Sequence, residues 1–169
     1  MKPWRQSWPC LLCGVIFAVA AFDACAGNQW TLRINGHAVS FWRTADLDRA
    51  EQEATDDHKP IAWIASASQV LDGKGTISQE NSRGATLHAF YALRDRAILV
   101  FEDAYIENHK VLPLVDVALH TPNPHYTPPT VVFLNTNATR VLAKVTYEPD
   151  FAKRAQALAE ALDQVKGKY

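Results

Sequence analysis

Three short runs of almost purely apolar residues, Ile61–Ala65, Ala97–Phe101 and Val131–Leu134, constrain this chain more than any other feature of its sequence. A run without polar alternation suits a strand covered on both faces, so something must lie above and below the sheet they form. Helical stripes supply that cover. Leu87, Phe90 and Tyr91, with Ala85 and Ala92 nearby, form one stripe that ends at Arg94-Asp95-Arg96. Phe151, Ala155, Leu158, Leu162 and Val165 form another, with Lys153, Arg154, Glu160 and Asp163 on the opposite side. Val141–Val145 follows Val131–Leu134 after the short turn Asn135–Thr139, which argues for an antiparallel hairpin. The expectation is an α/β fold with a mixed sheet flanked by helices.

Upstream, Trp30, Leu32 and Ile34 alternate with polar residues as far as Asn35-Gly36, and Val39, Phe41 and Arg43 resume the alternation. That is the pattern of a small N-terminal β-hairpin. Thr44 is placed to cap a helix with Asp46 and Asp48 in its first turn and with Leu47, Ala50 and Ala54 on one face. This helix is expected to end before Asp56-Asp57-His58-Lys59-Pro60. The polar stretch from Ser66 to Gly84, with glycines at 73, 75 and 84, reads as a long loop. Val111–Leu119 fits either a helix interrupted near Pro113 or an extended segment. Thr121–Pro129, with prolines at 122, 124, 128 and 129, reads as a rigid irregular connection.

The first residues carry Lys2 and Arg5, an apolar run from Cys10 to Phe22, and the small segment Ala24-Cys25-Ala26. These are the three parts of a secretory signal peptide, and cleavage is placed after Ala26. The run is too short to span a bilayer comfortably, so no stable membrane insertion is expected after cleavage. A rival reading, lipid attachment at Cys25, needs a small apolar approach to the cysteine, where Phe22 and Asp23 stand. Cleavage removes all three cysteines, Cys10, Cys13 and Cys25, leaving no disulfide or thiol chemistry in the exported form. Removing Lys2, Arg5 and Asp23 from 17 basic and 18 acidic residues leaves 15 and 17, too little positive charge to favour nucleic acid. A periplasmic or secreted location is expected.

The order strand, helix, strand, connection, proline turn, hairpin and helix resembles the thioredoxin fold. The most specific match is Pro128-Pro129-Thr130 running into Val131-Val132-Phe133-Leu134, which resembles the cis-proline, threonine and apolar strand of that family. The resemblance runs from about Thr44 to Lys166. With the signal peptide at 1–26, it leaves a hairpin at 27–43 outside the family fold and implies a thioredoxin-like domain at 44–169. Where the family carries its C-x-x-C pair, this chain has Ser68 and Leu71, within Ser68-Gln69-Val70-Leu71. A serine hydroxyl neither ionises like a thiol nor exchanges sulfur bonds, so thiol–disulfide exchange is not expected. The buried acid of many thioredoxins falls on Ala62. Many family members bind extended peptides through the backbone before the cis-proline. If Pro129 is that proline, Pro128 precedes it and has no N–H; if Pro128 is, Thr127 keeps the donor.

The resulting expectation is a redox-inactive accessory module that binds an envelope protein or peptide and needs no cofactor. Its contact face would hold Ser68, Gln69, Tyr126, Thr127, Pro128, Pro129 and Thr130, with the loop from Ser66 to Gly84 beside them. A hydrolase or metal-dependent enzyme on the same face is the alternative. His109, His120 and His125, with Asp103 and Glu107, offer imidazole and carboxylate donors but no recognisable ligand spacing. Ser66, Ser68, Ser78 and Ser82 offer hydroxyls without a G-x-S-x-G elbow. Trp63 and Phe90 are expected in the core, and Asn137-Ala138-Thr139 matches a glycosylation sequon that in a bacterial periplasm is simply a turn.

Overall fold

Asn35 and Gly36 both take positive φ, 52° and 81°, which makes them the two-residue turn of a tight hairpin. It joins β2 (Trp30–Ile34) to β3 (His37–Arg43), with Ile34 opposite His37 and Trp30 opposite Phe41. A short strand, β1 (Asp23–Ala24), lies against the outer side of β2. The computed structural model describes residues 23–24, 29–67, 77–104, 111–123, 125 and 127–169, with the backbone alone at 23–24 and 77–81.

The hairpin does not stand outside the fold, as the sequence suggested. The end of β3 pairs in parallel with β5 (Ile98–Asp103), Trp42 opposite Val100 and Arg43 opposite Phe101. β4 (Ile61–Ser66) lies between β5, to which it is parallel, and β6 (Thr130–Leu134), to which it is antiparallel. β7 (Val141–Val145) runs antiparallel to β6, so the full order is β1-β2-β3-β5-β4-β6-β7. The segment β3-β5-β4-β6-β7, with its first three strands parallel, is a thioredoxin-like mixed sheet, and β3 supplies its first strand. β4, β5 and β6 are buried along their whole length, as the apolar runs required.

Four helices cover the two faces among the described residues. On one, α2 (Ile77–Leu93) and α4 (Phe151–Val165) bury Leu87, Phe90, Leu158 and Val165 against Ala62, Ile64, Phe101 and Phe133. The hairpin adds Leu32, Ile34, Val39 and Phe41 to that layer. Phe41, Phe90 and Phe101 meet there edge-on or tilted, with centroids 5.1 to 5.9 Å apart, favourable geometries for aromatic rings. On the other face, α1 (Leu47–Asp57) and α3 (Pro113–His120) bury Ala50, Ala54, Val115 and Leu119 against Ile61, Trp63, Val100 and Val132.

Several boundaries differ from the sequence reading. Thr44 opens a 3-10 turn instead of capping α1, and α1 runs through Asp56 and Asp57. His58, with φ 50°, then closes it by donating its N–H to Ala54 and Thr55. The stretch read as loop up to Gly84 becomes helix at Ile77, because polarity alone does not distinguish a wet helical turn from a loop. Segment 111–119, read either way, is helical from Pro113, which occupies a first-turn position where its missing N–H costs nothing. β5 runs two residues beyond its apolar stretch and ends on buried Glu102 and Asp103.

Candidate functional site

The C-terminal ends of β4 and β5, the start of β6 and the connection from β7 to α4 meet at one end of the sheet. Ser66, the last residue of β4, is fully buried and shares a hydrogen bond with the Thr86 hydroxyl at 2.8 Å. Across from it, Asp103 is the last residue of β5, and Ala104 donates its N–H to the Ser66 carbonyl at 2.7 Å. Glu102 accepts a hydrogen bond from the Trp63 indole on the opposite face of the sheet. Where the thioredoxin pattern puts a buried acid on the central strand, Ala62 is buried and the acids sit on the neighbouring strand.

Thr127, Pro128, Pro129 and Thr130 form the rim beside these strand ends. The Pro128–Pro129 peptide is cis, and Pro128 has no N–H to offer an incoming strand. Thr127 is exposed, Pro128 half-buried, and Pro129 and Thr130 buried. The Thr130 hydroxyl donates to the Thr127 carbonyl at 3.1 Å, which ties the turn to the start of β6.

Next to this turn lies a feature that sequence reasoning missed. Pro129, Tyr147, Ala85, Ala89 and Arg154 line one narrow crevice. Arg154 is only 8% exposed, deep for a guanidinium, and its donors are matched by specific acceptors. Nη1 donates to the Glu148 carbonyl at 2.5 Å and the Pro149 carbonyl at 3.2 Å, and Nε donates to His88 Nδ1 at 3.0 Å. His88 is therefore the neutral acceptor tautomer. Burial first, and then the adjacent Arg154 charge, hold its pKa down at about 4. Burial also lowers the Arg154 pKa, opposed by Tyr147, Glu148 and Asp150. Phe151 lies over the His88 ring at 4.3 Å between centroids and is itself 60% exposed. No sequence signal linked these groups, because His88 and Arg154 stand on different helices 66 residues apart.

Of the sequence-derived candidates, Thr127, Pro128, Pro129 and Thr130 come together at the rim, while Ser68, Gln69 and Tyr126 lie outside the described residues. The metal candidates do not converge. His120 Nδ1 contacts its own helix at Asp116, His125 is exposed, and Glu107 and His109 lie outside the described residues. Among the described residues no three His, Cys, Asp or Glu side chains stand together as metal donors. Ser66 is buried against Thr86, and Ser82 gives its carbonyl to the Thr86 hydroxyl. Trp63 and Phe90 are core residues, and 135–139 is a turn closed by Asn135, Asn137 and Thr139. The described surface at this end thus offers contact through proline, threonine and aromatic side chains.

No protein-family model matches the chain, and no curated protein does. Among solved structures, a DsbH oxidoreductase is similar at 18% identity and a TM-score of 0.48, covering 74% of this chain and 85% of that one. No described helix is long and apolar enough to cross a membrane.

Proposed function

We propose that this chain is an exported, redox-inactive thioredoxin-like protein that binds another envelope protein or an extended peptide at the end of the sheet just described. The observation that carries the reading is the exposed Phe151, held over the buried His88–Arg154 pair, whose Arg154 lines one crevice with Pro129 of the rim. An aromatic ring held at the surface over a buried polar scaffold suits the anchoring role that aromatic side chains play at interfaces. Ser68, Gln69, Tyr126, Thr127, Pro128, Pro129 and Thr130 belong to the same proposed face. Because Pro128 offers no N–H, recognition rests on side chains and on the carbonyls of the rim. Redox inactivity and the periplasmic or secreted location follow from cleavage after Ala26, which removes every cysteine.

A photo-crosslinking side chain placed at Thr127 or Phe151 of the full chain, produced in its native envelope, tests this face. The expected result is a discrete adduct at both positions and none at Val117, an exposed residue of α3 on the opposite layer. Equal labelling at all three positions, or none at Thr127 and Phe151, removes the binding role. Alkylation of the exported product, read by mass, is expected to find no thiol.

A further inference from the structure

The outer side of β2 is a strand-binding edge, and in this structure the segment Asp23–Ala24 occupies it. Asp23 lies opposite Thr31 and Ala24 opposite Trp30, in antiparallel register. Cleavage after Ala26, on which this inference rests, would carry that short strand away. The tight turn at Asn35-Gly36 makes Ile34 and His37 a hydrogen-bonded pair, so Ile34, Leu32 and Trp30 direct their backbone groups toward β3. Thr31 and Arg33 therefore direct theirs outward, and the processed chain leaves those N–H and C=O groups without a strand. Open edges of this kind are templates for further pairing.

The sequence of β2 selects one occupant. Laid antiparallel against itself about Leu32, it sets Thr31 opposite Arg33, so the outward-directed backbone groups of both copies meet in register. Trp30 then faces Ile34 and Leu32 faces Leu32, continuing the apolar layer, while the exposed Arg33 meets a neutral threonine and no like charge. The same patch serves both copies, as a two-fold interface requires. We infer that the exported protein forms a two-fold dimer in which β2 pairs antiparallel with β2 of a second copy, joining two sheets into one.

The test uses the product recovered from the envelope, with its N-terminus read by intact mass and its size by light scattering. The expected product begins at Gly27 and has about twice the mass of one chain. A monomer beginning at Gly27 overturns the dimer and leaves the export reading standing; a product that keeps Asp23 and Ala24 overturns both. A co-purifying peptide in place of a second copy also overturns the dimer. Thr31→Arg sets a guanidinium opposite Arg33 of the second copy and is expected to yield monomers. Adding Arg33→Glu restores an opposite-charge pair and is expected to restore the dimer, which separates lost pairing from lost folding. A Thr31→Arg protein that stays dimeric overturns the proposed register.

Discussion

At the scale of single residues, the buried polar groups carry the specific consequences. His88 is held neutral in the folded protein, with its pKa lowered to about 4 from an ordinary 6.5. The unfolded chain therefore binds the extra proton first. Stability is full above about pH 6.5, falls as pH drops through the window toward 4, and levels off below it, a loss approaching ~3 kcal/mol. Urea unfolding across that range should show the decline. His88→Gln keeps an acceptor for Arg154 but does not titrate, so its profile is expected to be flatter; an equal slope assigns the effect to other groups. Trp63 and Glu102 form the comparable pair on the other face, where a buried carboxylate is matched by an indole donor. Neither pair was legible in the sequence. Arg154 looked like one polar residue on the wet side of its helix, and the apolar run of β5 stopped short of Glu102 and Asp103, which hydrogen bonding carries into the strand.

At the scale of elements, the central strands were legible because burial on both faces keeps their middles apolar and confines Ser66, Glu102, Asp103 and Thr130 to their ends. The helices were legible only where one side packs. Ala85 to Leu93 gave the C-terminal part of α2, while Ser82, Arg83 and Gly84 are half-buried and polar enough to pass for a loop. The same fact predicts an improvement. Gly84 lies inside the helix, and a Cβ there meets nothing within 4 Å. Gly84→Ala is expected to raise stability by about 0.5–1 kcal/mol in thermal or urea unfolding, since glycine loses more backbone freedom than alanine. The prolines gave the rim from Thr127 to Thr130 for a different reason: they fix backbone geometry locally, whatever packs around them.

At the scale of the whole molecule, the hairpin is part of the core and not an appendage. Phe41 is fully buried between Phe90 and Phe101, so Phe41→Ala is expected to cost about 3–5 kcal/mol in equilibrium unfolding. A loss under 1 kcal/mol would mean that the hairpin folds apart from the sheet. The sequence could not reveal this, because β3 joins β5 across more than fifty intervening residues, Trp42 meeting Val100. The same long reach governs how the chain assembles. Ile61 on the middle strand must find Ile98 on one side and Leu134 on the other before its backbone is satisfied. Partners so distant along the chain make for slow assembly. In the export proposed above, where a chain would be threaded through a translocation pore while still extended, that delay would be an advantage written into the strand order.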